Sequence, residues 1–247
     1  EFGKRNNHIS EYIGSHIFEL LGFKVQETYL GTYKGEQVVA CKNFIEDGYQ
    51  FVPFNDVGES TLDQDKERYQ YSYTDIMKML RDNSKLTNVD ETIEAFWQLF
   101  IVDALLGNFD RHGANWGFLK KDNKYTLAPI FDNGSSLFPA MTDEDEMKEI
   151  MGSQEETDKR IFTFPTSQIK LQGKKSSYYD VIHSLEFEEC NKALANVYKR
   201  ISIEKINEFI DNDVMFITDL QKEFYKHMIK NRFEKIIEAS FENLIKR

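Results

Sequence analysis

Apolar positions along this chain follow a helical rhythm in some stretches and a strand rhythm in others, and the changes of rhythm divide it. Ile9, Tyr12, Ile13, Ile17, Leu20 and Leu21 recur at spacings of three and four, which predicts an amphipathic helix that stops near Gly22. Lys24 to Tyr33 and Gln37 to Phe44, rich in Val, Thr, Tyr and Phe, flank Lys34-Gly35 and predict a β-hairpin. Positions 45 to 70 carry Gly, Pro, Asn, Asp and Ser without a period, so a mobile connection at a lobe boundary is expected there. A short helix is expected from Thr74 to Arg81. A longer one runs from Val89 to Leu106, where Ile93, Phe96, Trp97, Phe100, Ile101, Ala104 and Leu105 build one stripe and Gly107 provides the stop. Trp116 to Leu119 and Tyr125 to Phe131 predict two short strands around the charged turn Lys121-Asp122-Asn123-Lys124. From Glu144 to Arg247 the pattern is mostly helical, with a long amphipathic segment at its end. The result is an α+β chain of two parts: residues 1–50 with a helix and a hairpin, and residues 51–247, mostly helical.

Composition supports an ordinary globular chain. Its 20 Phe and 12 Tyr, against 4 Pro and 13 Gly, favour regular structure with a sizeable core over disordered tracts. A net charge of -11 removes the basic footprint that nucleic acid or an anionic membrane would need, so neither is expected as a partner. No apolar run approaches the roughly 18 residues of a membrane span, and the polar start has no signal-peptide core, so a cytoplasmic location is expected. Cys41 and Cys190 lie far apart and join no zinc-like spacing, as suits two reduced thiols. The abrupt opening at a helix suggests that the natural protein has more chain before it.

Two loops carry a density of polar groups that ordinary connections do not need. Leu106-Gly107-Asn108-Phe109-Asp110-Arg111-His112-Gly113-Ala114-Asn115 follows the most apolar helix, and Pro129-Ile130-Phe131-Asp132-Asn133-Gly134-Ser135-Ser136 follows the second strand of the hairpin that comes next. If the two strands pair, Asp132 comes close to Asn115. Phosphoryl transfer asks for this set: one carboxylate for the attacking hydroxyl, then an amide oxygen and a second carboxylate for magnesium. Asp110 precedes Asn115 by five residues, the spacing of the protein-kinase catalytic loop, and Asp132-Asn133-Gly134 stands where those enzymes keep Asp-Phe-Gly. Asp and Asn also build plain turns, and either loop alone would be ambiguous. Asp143-Glu144-Asp145-Glu146 suits a helix start. Ser135, Ser136, Ser176, Ser177 and Tyr178 are candidate phosphosites on expected exposure alone.

At these residues the chain resembles the HipA-like Ser/Thr kinases, whose signature Asn-x-Asp-x-His-x-x-Asn and Pro-x-Tyr/Phe-Asp matches Asn108 to Asn115 and Pro129 to Asp132. Lys24 to Thr28, Leu30 to Lys34, Val38 to Lys42 and Leu105 to Leu119 are similar to the CtkA-type branch, and the similarity runs through nearly the whole chain. The resemblance implies a protein-kinase-like two-lobed fold with a small, partial N-lobe and a helical C-lobe. It implies ATP and Mg2+ as cofactors, protein Ser/Thr as acceptor, and frequent autophosphorylation. Carried across residue by residue, Asp110 is the catalytic base and Asn115 and Asp132 the metal ligands. Glu11, Lys42, Phe44 and Ile130 belong to the nucleotide site, with Lys42 to Phe44 as the adenine hinge and Glu11 as partner of a phosphate-binding lysine. That lysine and a glycine-rich loop are implied upstream of Glu11, where this sequence has ten residues. Val39-Ala40-Cys41-Lys42 also echoes Val-Ala-Ile-Lys, which would make Lys42 itself the phosphate lysine. A pseudokinase binding module and an aminoglycoside-type small-molecule kinase are the rival expectations. The resemblance leaves an antitoxin or a host protein as partner, and an exported effector as an alternative to a cytoplasmic enzyme.

Overall fold

The computed structural model describes residues 5–58, 71–82 and 88–247. Helix α1 spans Asn7–Leu20 and buries Ile9, Ile13, Ile17 and Phe18, one face of the expected periodicity. Strands β1 (Thr28–Tyr33) and β2 (Glu36–Cys41) form an antiparallel hairpin in which Thr28 faces Cys41 and Tyr33 faces Glu36. Lys34 and Gly35 both sit at positive φ, 52° and 85°, the mirror-image turn whose twist matches a two-residue hairpin.

The expected mobile connection is instead partly regular. Strand β3 (Gln50–Pro53) pairs antiparallel with β5 (Gly117–Lys121), and α2 (Phe54–Gly58) follows it, while positions 59–70 of that connection lie outside the described residues. Gly117 makes the crossing possible, because a Cβ there would come within 2.4 Å of the Val52 carbonyl oxygen.

Strand β4 (Tyr71–Ser72) leads into α3 (Tyr73–Arg81), where the Ser72 hydroxyl and the Asp75 carboxylate form a reciprocal capping box. Helix α4 (Val89–Leu106) is capped by the Asn88 side chain and stops at Gly107 in the left-handed region. It is buried nearly all round from Leu99 to Leu106, as a helix apolar on every side must be, and it forms the centre of the core. Strand β6 (Lys124–Leu127) returns beside β5 through Asp122 and Asn123 at φ 49° and 62°.

Helices α5 (Glu144–Gly152) and α6 (Gln154–Asp158) run into a π-helical turn, Lys159–Thr163. A third hairpin, β7 (Thr166–Leu171) and β8 (Lys174–Ser177), interrupts the region expected to be helical, with β4 parallel to β7. Then come α7 (Tyr178–Ser184), α8 (Glu188–Tyr198), α9 (Ile203–Asp213) and α10 (Asp219–Arg232). A π-helical turn, Phe233–Glu238, joins α10 to α11 (Ala239–Ile245). Helices α8 and α10 pack on α4, and Tyr12 of α1 meets Phe209 of α9 at 5.9 Å between ring centroids. Four of the five candidate phosphosites lose their premise, since Ser136, Ser176, Ser177 and Tyr178 are buried.

Candidate active site

The last turn of α4 presents one carboxylate inside the core. Asp103 is buried, and burial pushes its carboxyl above the ordinary range while the Arg111 guanidinium works against that shift. Arg111 Nε donates to Asp103 Oδ2 at 2.9 Å and Nη2 to Oδ1 at 3.2 Å, a fork-to-fork pair. The same guanidinium reaches two other segments. Nη1 donates to the carbonyls of Asn115, at 2.9 Å, and Phe131, at 2.5 Å, and Nη2 donates to Asn133 Oδ1 at 2.6 Å. One planar group thereby ties α4 to the loop of Asp110 and to the loop of Asp132.

The peptide of Asp110 is held from both sides. Its N–H donates to Asn108 Oδ1 at 3.0 Å, and its carbonyl accepts Asn115 Nδ2 and the His112 N–H, each at 2.8 Å. Asn108 is itself anchored, donating to Asp103 at 3.2 Å and accepting the buried Tyr178 hydroxyl on its carbonyl at 2.7 Å. The Asp110 side chain stays 49 % exposed, 3.9 Å from His112 Nε2. His112 Nδ1 accepts the Ala114 N–H at 3.2 Å, so in the neutral ring the proton is on Nε2, the nitrogen that faces the carboxylate. Since Asn115 spends its amide nitrogen on Asp110, its Oδ1 is the atom suited to a cation.

The second loop is fastened to the N-terminal part of the chain. Ile130 N–H donates to Lys24 at 2.9 Å and Ile130 accepts from Gln26 at 2.8 Å, a parallel bridge centred on Val25. Asp132 follows at φ 57°, a conformation Asp tolerates better than most residues, with its side chain exposed. Asn133 turns inward and is fully buried. Its N–H donates to Glu11 Oε2 at 2.5 Å and its Nδ2 to Ser15 Oγ at 3.1 Å. Gly14 permits this, because a Cβ there would meet Asn133 Cβ at 2.5 Å. Burial raises the Glu11 carboxyl above its ordinary value, the Asn133 N–H opposes the rise, and the nearby Asp132 charge adds to it. Strand β2, which ends at the exposed Cys41, packs against α1, the helix that carries Glu11.

Phe44 packs against Phe131 at 5.5 Å and Phe51 at 6.1 Å, so the segment after β2 touches the residue before Asp132. Lys42 lies elsewhere. Its ammonium pairs with Glu27 Oε1 at 2.6 Å on an exposed surface, and its N–H and carbonyl are taken by Glu27 O and Gln26 Nε2, each at 2.9 Å. The Glu11 carboxylate meets Asn133 and Ser15 instead. The Lys42 ammonium is thus engaged by Glu27, and its backbone N–H and carbonyl are spent inside the hairpin region.

Among the described residues no three or more His, Cys, Asp and Glu side chains gather into a metal cluster. The chain offers an amide oxygen and a carboxylate, hard donors that suit magnesium when phosphate oxygens and water complete the shell. Arg111 as the tie, Asp103 and Asn133 as its side-chain partners, and Ser15 as a further partner of Asn133 were not foreseen from sequence. A lone Asp in the apolar run Phe100-Ile101-Val102-Asp103-Ala104-Leu105 was the available signal, since a carboxylate so placed needs a buried partner.

This geometry has relatives. The serine/threonine-protein kinase CtkA of Helicobacter pylori strain J99 is 38% identical over 248 residues, covering 99% of this chain and 75% of the relative. The crystal structure of the H. pylori proinflammatory kinase CtkA superposes with a TM-score of 0.91 at 38% identity, over 98% of this chain and 84% of that one. HipA of Shewanella oneidensis MR-1, solved with HipB and operator DNA, shares the fold at a TM-score of 0.64 and 12% identity, over 95% of this chain and 57% of that one. The HipA-like C-terminal domain matches residues 2–212. The chain, a kinase-like α+β fold, belongs to the HipA-like C-terminal domain family.

Proposed function

We propose that this chain carries the catalytic centre of an ATP- and Mg2+-dependent protein serine/threonine kinase. The observation that supports this most is the convergence of the Asp110–Asn115 loop and the Asp132 loop on one guanidinium, that of Arg111. The likeness to CtkA, named a serine/threonine-protein kinase, points the same way.

In this reading Asp110 orients the acceptor hydroxyl and takes its proton as the oxygen attacks. Its half-open side chain leaves room for a substrate chain, and its pinned peptide keeps the carboxylate from swinging. Asn115 Oδ1 and the Asp132 carboxylate would hold the metal, whose bound charge offsets that of the transferring phosphoryl group. Phe44, Phe51 and Phe131 form an apolar wall suited to a purine. Glu11, already held by Asn133, anchors α1 to the metal loop and stands ready for a phosphate-binding lysine.

The test is incorporation of label from ATP into dephosphorylated casein and into the enzyme itself, with Mg2+, by the full-length protein and its Asp110→Asn variant. Removing a general base is expected to lower the rate by about 10²–10⁴-fold. Equal labelling by both proteins, or none by either, overturns the reading. Label in the enzyme alone would identify autophosphorylation as its main output.

A further inference from the structure

Beside the proposed base, three phenylalanine rings from three separate segments meet at the surface. Phe109 immediately precedes Asp110, Phe138 follows the metal loop, and Phe164 follows the π-helical turn Lys159–Thr163. The Phe164 ring lies 6.0 Å from that of Phe109 and 6.0 Å from that of Phe138. Phe138 is buried, Phe109 is half-buried, and Phe164 is 47% exposed.

Each ring is fixed by its own backbone. Phe109 donates its N–H to Ser135 at 3.3 Å and accepts Gln168 Nε2 on its carbonyl at 3.2 Å. Phe164 donates its N–H to Lys159 at 3.1 Å. Leu137 and Phe138 both sit at φ 56°, a region that large side chains rarely adopt, and the Leu137 N–H is held on the Leu106 carbonyl at 2.9 Å. A single exposed phenylalanine on a surface is unremarkable. Here the open ring continues inward through a ring whose next residue is the base.

We propose that Phe164 and Phe109, backed from beneath by the buried Phe138, seat an apolar side chain of the protein substrate, one to three residues from the phosphorylated Ser or Thr. The inference rests on the kinase reading of Asp110 and adds the class of sequence that the site accepts. An extended peptide advances about 3.3–3.6 Å per residue, and Phe109 directly precedes Asp110 with Phe164 one ring contact further on, so one to three residues is the separation the placement calls for. The rings are inclined to one another, at 32° between Phe109 and Phe164 and 48° between Phe138 and Phe164. The surface they offer is apolar, and no charged side chain is paired with these rings among the ring contacts described. A carboxylate or ammonium placed there would lose hydration with no partner among the three rings.

The experiment uses peptides with one Ser acceptor in a Gly/Ala background, carrying Leu, Glu or Arg at each position from −3 to +3, with the full-length protein, Mg2+ and labelled ATP. Leu at one of these positions is expected to raise kcat/KM by about tenfold over Gly, the scale of discrimination an apolar pocket gives. Phe164→Ser is expected to remove most of that advantage, with the Gly peptide as reference within the variant. If that variant does not fold, the wild-type positional scan decides alone. The inference is overturned if no position favours Leu, if Arg or Glu is the favoured residue, or if the Leu preference survives in Phe164→Ser. It is equally overturned if the wild type is a dimer that Phe164→Ser dissociates, since a second copy would then cover the patch. Wild-type protein that labels no peptide and no protein marks failure of the kinase reading itself, and the inference falls with it.

Discussion

Arg111 spends its guanidinium on a carboxylate, two carbonyls and an amide oxygen, which only a planar fork with several fixed N–H groups can do. Lysine keeps the charge but not the fork. Arg111→Lys is therefore expected to let the two loops drift, and misplacement on that scale costs about a hundredfold in kcat with a smaller change in KM for ATP. Steady-state kinetics over ATP and acceptor concentrations check this, and an unchanged kcat would refute it. Arg111→Met is a harsher change, because it leaves the buried Asp103 carboxylate without its countercharge, with only the Asn108 amide still donating to it. It should cost about 3–5 kcal/mol of stability by denaturant unfolding. The residue types and spacing of Asp110, Asn115 and Asp132 could be read in the sequence because they are local. What Arg111 does could not, since its partners come from α4, its own loop and the loop beyond β6.

At the scale of elements, the long helices were readable because each carries its period and its stop signals within itself, as α4 does with Asn88 and Gly107. Strands β3 and β4 were not. Each is at most four residues long, and its partner, β5 or β7, lies far along the chain. The β7–β8 hairpin left a trace in Gln172-Gly173, both at positive φ, but its strands are too polar to announce a sheet. Contact between α1 and the Asp132 loop is likewise invisible in sequence, and it depends on Gly14. In Gly14→Ala the new methyl would press on Asn133 Cβ, so α1 or the loop must move. The expected result is a loss of about 1–3 kcal/mol, as for overpacking elsewhere, together with a lower kcat. A variant as stable and as active as wild type would show that this approach has slack.

The whole molecule is one core around α4 with small sheets at its margins, and the layout of a helix, a hairpin and then a helical body follows from the sequence pattern. No described helix is long and apolar enough to cross a membrane. Its stability should carry a histidine signature. His227 of α10 bonds to the Thr157 hydroxyl of α6 at 2.9 Å, and burial lowers its pKa below 6.5, with Lys235 and Lys230 adding to the effect. The folded state thus favours the neutral ring. Its contribution is fully present above pH 6.5 and is lost as pH falls through the lowered folded value. His227→Gln should make the thermal midpoint less sensitive to acid between pH 7 and pH 5 than that of wild type. Identical pH slopes for the two proteins would remove His227 from the account.

The shared guanidinium also bears on how this site can change over time. Two loops that depend on one buried group are not independent traits, since a substitution at Asp103 already slackens what Asn133 would hold. Losses at the two positions should overlap instead of adding, by about 0.5–3 kcal/mol for residues in one network. A lineage that has lost one end of the tie then meets little further resistance to losing the other. The route from working kinase to silent scaffold would be steep at its first step and shallow afterwards.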